Sequence, residues 1–230
     1  IVCSLVGSEM CIRDRIRDVL LGLSARTAVN IPGLSPDIMD SLKPHLQLAE
    51  TMGLLISQLS GGKIQKLELR LQGEFVQHPS QPLIIASLKG LLSKALGDRI
   101  NYVNASLEAE SRGILVSESK DEARPEFASG SLQLTTFGDN GEHSVAGSIF
   151  ADGELRIISI DQYPVNVSPS RFMLITRHRD MPGIIGKLGS LLGDHNVNIA
   201  SMQVGRKIVR GEAVMAVSYT HLRAHETTHD

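Results

Sequence analysis

Hydrophobic and polar positions change period several times along the chain, and each change marks an element. Val19, Leu20 and Leu23 fall on one side of a short helix over residues 16–23. Residues 28–33 (AVNIPG) are extended, because Pro32 holds the residue before it out of the helical region. Ser35 and Pro36 form a helix start, the first as N-cap and the second at the first helical position. Pro44 is expected to interrupt or restart that helix. Beyond it Leu48, Met52, Leu55 and Leu59 recur at helical spacing until Gly61-Gly62 ends the run.

The period then becomes two. Leu67, Leu69 and Leu71 alternate with Lys66, Glu68, Arg70 and Gln72, which predicts a strand with one wet face. A second amphipathic helix is expected over residues 82–96, carrying Leu88, Leu91, Leu92 and Ala95. A short helical stretch near 105–112 leads into a strand at 114–116. Strands at 132–137, 145–150 and 155–160 form a meander, turned by Asp139-Asn140-Gly141 and Asp152-Gly153. Helices early and strands late predict an α+β domain, an antiparallel sheet with helices on one face. Residues 163–170 (YPVNVSPS), with prolines and few large apolar groups, read as a linker.

A smaller unit follows. Residues 172–176 predict a buried strand, and Asp180-Met181-Pro182-Gly183 a turn. Ile184, Ile185, Leu188, Leu191 and Leu192 then make a single apolar helical stripe. Strands near 197–204 and 213–217 complete β-α-β-β, the first two-thirds of a ferredoxin-like βαββαβ unit. The usual strand order of that unit is 4-1-3-2, so without a fourth strand residues 172–176 become an edge. Residues 1–15 and 218–230 continue no neighbouring pattern. They resemble translated adaptor sequence, and both are expected to be foreign to the fold.

Composition narrows the function classes. The 230 residues are 42% hydrophobic and 21% charged with net charge -2, so no basic excess points to nucleic acid or an anionic membrane. Aromatics at 3% and the absence of Trp argue against base-stacking platforms. No run of about twenty apolar residues predicts a membrane span. Cys3 and Cys11 are the only cysteines, which excludes a disulfide framework and a cysteine-held zinc, and fits a cytoplasmic origin.

Several short motifs occur in order: AVNIP (28–32), LKPHLQLAE (42–50), LKGLL (88–92), YVNA (102–105) and ESRGI (110–114). Further on stand RHRDMPGIIG (177–186) and NVNIA (196–200). The later pair resembles the ACT domain, a ligand-sensing module of amino-acid metabolism. Together they resemble the long-form D-3-phosphoglycerate dehydrogenases, in which an allosteric substrate-binding domain stands between the dehydrogenase core and the ACT domain. The resemblance divides the chain into the end of a nucleotide-binding-domain helix and a linker (16–34), an allosteric substrate-binding-like domain (35–163), a linker (164–170) and a truncated ACT domain (171–217). It implies a regulatory part of a serine-biosynthesis enzyme, homo-oligomeric through paired ACT domains, whose parent uses NAD. No G-x-G-x-x-G lies between a strand and a helix. The chain itself is therefore expected to hold no NAD and to transfer no hydride.

The same resemblance places L-serine at His178, Asp180 and Asn198. Asp180 suits the ammonium, while the Asn198 amide and the helix-start amides of Gly183, Ile184 and Ile185 suit the carboxylate. On the residues alone, Asp180 serves equally as a helix N-cap and Asn198 as a strand-end turn residue. Lys89, Arg112 and Arg156 are candidate contacts for a phosphorylated metabolite, or ordinary surface cations. Tyr163 and Ser168 stand where some relatives carry arginine. An oligomerisation module that binds no small molecule is the alternative function. His225-Glu226-Thr227-Thr228-His229 spells the H-E-x-x-H of zinc hydrolases. It lies at the chain end with no third ligand after it, and is expected to be accidental, so no metal is assigned.

Overall fold

The structure, a computed structural model, describes residues 36–125 and 128–221. The elements expected before residue 36, both cysteines and the H-E-x-x-H run lie outside the described residues.

Helix α1 (Pro36–Ser60) runs unbroken through Pro44, contrary to the expected interruption. A proline inside a helix costs about 3 kcal/mol. Packing overrides it, because Leu42, Leu48, Ala49, Met52 and Ile56, on both sides of the proline, are fully buried. Each buried side chain of Leu or Ile size contributes about 1.5–3 kcal/mol. Strand β1 (Ile64–Gly73) and a 3-10 turn (Glu74–Gln77) lead to helix α2 (Ser80–Leu96). The two helices touch backbone to backbone. A Cβ on Gly53 would lie 2.2 Å from the Ser87 carbonyl oxygen, and one on Gly90 would lie 2.0 Å from that of Glu50.

After helix α3 (Ala105–Ser111) come β2 (Leu115–Asp121), β3 (Gly130–Gly138), β4 (Gly141–Ile149), β5 (Leu155–Ile160) and β6 (Tyr163–Val167). They join β1 in one sheet of order β2-β1-β3-β4-β5-β6. Only the β1–β2 pair is parallel. Leu67, Leu69 and Leu71 of β1 are buried with Leu132, Leu134, Val145 and Ile157 in the core shared with α1 and α2. Gly147 lets α1 down onto the sheet, since a Cβ there would meet Met52 Sδ at 2.7 Å and Leu48 Cδ1 at 2.9 Å. The architecture is α+β, as the periodicities predict.

Strand β6 occupies most of the expected linker. Val165 and Val167 are buried, 9% and 2% exposed, and their alternation supplies the period that the prolines obscure. Pro164 is tolerated because β6 is an edge strand. Asp161 and Gln162, at φ 47° and 64°, form the two-residue turn from β5.

The smaller unit consists of β7 (Met173–Arg179), helix α4 (Ile184–Asp194), β8 (Val197–Arg206) and β9 (Glu212–His221), with sheet order β7-β9-β8. Among the described residues β7 is an edge of this sheet. Strand β9 is buried from Ala213 to Val217 and continues through Ser218, Tyr219 and Thr220 to His221. There Ser201 and Ser218 join their hydroxyls at 2.7 Å and the Tyr219 amide donates to the Phe172 carbonyl at 3.1 Å. Val214 and Ala216 belong to the main core, so this sheet lays one face against the larger unit. Among the described residues no helix is long and apolar enough to cross a membrane.

The helix contact is tested by Gly90→Ala, which should lower the unfolding free energy by about 1–3 kcal/mol in denaturant titration, although alanine is the better helix former. Gly186→Ala on α4, where a Cβ meets no atom within 4 Å, should be neutral or stabilising by up to about 1 kcal/mol. Equal effects at the two sites would contradict the packing argument.

A second test concerns acid. The His45 ring stacks 4.1 Å from that of His78 and 4.7 Å from that of Phe75. Burial first, and His78 second, push His45 down from its ordinary 6.5 to about 4, against the Ser41 carbonyl that accepts from its Nδ1. Burial lowers His78 as well. A histidine held neutral in the folded state supports stability above about pH 6.5, and that support is lost progressively towards about pH 4. The melting temperature should therefore fall from pH 7 to pH 5, and fall less steeply in His45→Gln.

Candidate functional site

Strand β7 ends at Arg179, and the chain turns through Asp180 to Gly183 into α4. Gly183, at φ 89°, is the N-cap, and no side chain caps the helix. Asp180 therefore does a different job from capping. Its amide donates to the Gly211 carbonyl at 2.8 Å, while its carboxylate accepts from the Arg206 guanidinium at 3.2 Å and the Arg210 amide at 3.3 Å. These bonds close the β8–β9 turn onto the end of β7. His178 pairs with Ala213, and its Nδ1 is buried with no hydrogen-bond partner among the described residues. An unsatisfied buried polar atom costs about 1–3 kcal/mol. Ile184 and Ile185 open α4, where helix-start amides favour an anion; the Ile184 amide donates to the Met181 carbonyl at 3.4 Å, and Ile185 is 56% exposed.

Asn198 lies elsewhere. Strands β7 and β8 flank β9 and run in the same direction. Asp180 sits beside Arg206 at the far end of β8, and Asn198 is near that strand's start. At the ~3.3 Å rise of a strand residue the two are about 25 Å apart. Asn198 Nδ2 donates to Thr220 Oγ1 at 3.4 Å, and both residues are exposed. Within one chain the fold groups His178, Asp180 and the α4 start, and leaves Asn198 at the opposite end of the sheet.

The three candidate cations do not gather either. Lys89 donates to Glu50 at 2.6 Å and lies 4.4 Å from the Tyr102 ring centre. Tyr102 donates to the other Glu50 oxygen, and burial, then Glu50, push its hydroxyl pKa up. Arg112 sits 3.4 Å from Glu108. Arg156 pairs with Glu154 at 2.7 Å and Asp152 at 3.8 Å, lies over the Phe150 ring, and leaves its Nε buried without a partner among the described residues. Each cation stands on its own element beside its own carboxylate.

A connection that the sequence did not reveal joins the two units. Asp161, with a side chain 8% exposed, accepts from the Ser144 amide at 2.9 Å and from Arg177 of β7, and lies 3.3 Å from His143 Nδ1. Beside it Lys207 reaches Gln162 at 3.3 Å and the face of Tyr163. Gly205 packs under Pro164, whose carbonyl a Cβ would meet at 2.3 Å. Arg177 neighbours His178 along β7, but successive strand side chains face opposite sides of the sheet. Arg177 therefore faces the seam with Met173 and Ile175, while His178 lies on the other face. The signal available in sequence was Asp161-Gln162 between two apolar alternations, which becomes a hairpin turn once YPVNV is read as a strand.

These features define a class: a helix-covered α+β unit carrying a β-α-β-β sheet unit locked to its edge. The chain belongs to the D-3-phosphoglycerate dehydrogenase intervening-domain family, which matches residues 41–161, and an ACT domain is matched over residues 172–228. It is similar to the D-3-phosphoglycerate dehydrogenase of Synechocystis sp., 59% identical over 214 residues, covering 93% of this chain and 38% of that protein. The enzyme of the same name from Methanocaldococcus jannaschii is 36% identical over 210 residues, 91% of this chain and 40% of the relative. That from Archaeoglobus fulgidus is 38% identical over 197 residues, 86% and 37% respectively. The chain thus spans well under half the length of these relatives.

Asp161→Asn should lower the unfolding free energy by about 1–3 kcal/mol, because a neutral amide cannot hold Arg177 and the Ser144 amide equally well. Hydrogen exchange should rise in β7 more than in β1; a uniform rise would place the loss in the core rather than at the seam.

Proposed function

We propose that this chain is a regulatory part of a D-3-phosphoglycerate dehydrogenase of serine biosynthesis, and that its ACT domain senses L-serine between two copies of the chain. The observation that carries the reading is the separation of complementary groups. His178, Asp180 and the α4 start stand at one end of the sheet, Asn198 about 25 Å away at the other. A two-fold pairing of ACT domains side by side brings one copy's His178 and Asp180 to the other's Asn198. Serine then offers its ammonium to Asp180 and its carboxylate to the Asn198 amide and the Gly183–Ile185 backbone, and a hydrogen bond to His178. Arg206, which is 57% exposed, leaves Asp180 at little cost. Binding across the interface favours the paired state and so couples effector to assembly.

Among the described residues no strand enters a helix through a G-x-G-x-x-G turn. No hydride-transfer step is assigned to them. A phosphorylated metabolite held jointly by Lys89, Arg112 and Arg156 draws less support, since Lys89 and Arg156 are each closely paired with a carboxylate. The second reading is an oligomerisation module without a ligand. It is favoured by the existing Asp180–Arg206 pair and by the apolar β8–β9 turn, where Ile208 and Val209 are 73% and 69% exposed.

In the complete enzyme, Asn198→Ala should abolish inhibition by serine while turnover without serine is retained, measured as initial rates across a serine titration. Full serine sensitivity in that variant would remove Asn198 from the site. An unmodified enzyme that ignores serine but stays oligomeric would favour the second reading.

A further inference from the structure

A cleft of about 590 Å³ opens where the end of α1, the start of β1, the last turns of α2 and the turn from α3 into β2 meet. Its floor includes Leu91, Leu92 and Ile114, which are 3%, 5% and 8% exposed. Its rim carries Lys63, Lys94 and Arg112, and no acidic residue lines it. Arg112 has an exposed pairing with Glu108 one turn away, the kind that contributes little. Neither Lys63 nor Lys94 has a salt-bridge partner among the described residues.

The backbone beneath this rim is held firmly. The Lys63 carbonyl accepts from the Asp139 amide at 3.1 Å, and Asn140 Nδ2 donates to the Ser60 carbonyl at 2.8 Å, pinning the Gly61-Gly62 turn. Arg112 and Ile114 both donate to the Ala109 carbonyl, at 3.2 and 3.0 Å. Surfaces normally intersperse charges of both signs. Here three cations line one cleft with an apolar floor, of the size that holds small ligands.

We propose that this cleft binds a small organic anion, its carboxylate at Lys63, Lys94 and Arg112 and its aliphatic body on Leu91, Leu92 and Ile114. The charges select the sign of the ligand's head, and the floor rewards a body that inorganic ions lack. Every lining residue belongs to the larger unit. The site is therefore independent of the serine reading, and each can fail without the other.

The probe is sodium octanoate, below its micellar concentration, titrated into the 230-residue chain by calorimetry. Saturable one-to-one binding is expected. Octyltrimethylammonium, with the same body and the opposite charge, should not bind, and inorganic phosphate should bind at least tenfold more weakly. The double variant Lys94→Glu with Arg112→Glu should weaken octanoate at least tenfold. Ala95→Trp, which fills the cleft from the exposed side of α2 without altering charge, should do the same. Both variants should keep the circular dichroism and melting temperature of the unmodified chain. Absence of octanoate binding, equal binding of the two octyl compounds, phosphate binding as tight as octanoate, or variants that bind octanoate as the unmodified chain does would each overturn the proposal.

Discussion

Gly53 and Gly90 let two helices meet at their backbones, and much of the larger unit depends on that contact. Because neither residue carries a Cβ, Glu50 and Ser87 present their carbonyls directly to the opposing helix. The close approach brings Glu50 to Lys89 and Tyr102, and with Gly147 it lowers α1 until Leu48 and Met52 touch the sheet. The glycines also reduce helix propensity by about 1 kcal/mol each. Continuous burial along both helices offsets that loss, as it offsets the break that Pro44 alone would cause.

The second constraint is the seam between units. A short β5–β6 turn with two non-glycine residues at positive φ needs external support. Asp161 receives it from Ser144 on its own sheet and from Arg177 on the other. The ACT domain is thus seated against the edge of the larger sheet, with Gly205 beneath Pro164, rather than hung from a flexible tether.

The candidate effector groups follow from strand direction. Since β7 and β8 are parallel on either side of β9, their corresponding ends coincide, and a group at the end of one cannot meet a group at the start of the other. Asp180 and Asn198 are complementary for an amino acid but are held apart within one sheet. The pairing across copies that we propose would satisfy both.

Patterns that act over a few residues are legible in the sequence by itself. The alternation of Leu67, Leu69 and Leu71, the helical stripe of α4, the meander and the β-α-β-β order all follow from local periodicity, and the ACT-like turn from local motif. Whatever depends on partners far along the chain is not legible there. Pro44 reads as a break because its cost is local, whereas the burial that overrides it comes from remote strands. YPVNV reads as a linker because its prolines are visible and its pairing with β5 is not. Asp161 matters only because β7 brings Arg177 to it. Lys63, Lys94 and Arg112 share one cleft, and Lys89, Arg112 and Arg156 do not, because their helices and strands cross at particular places. Periodicity records which face of an element avoids water, while only the tertiary structure decides which element covers it.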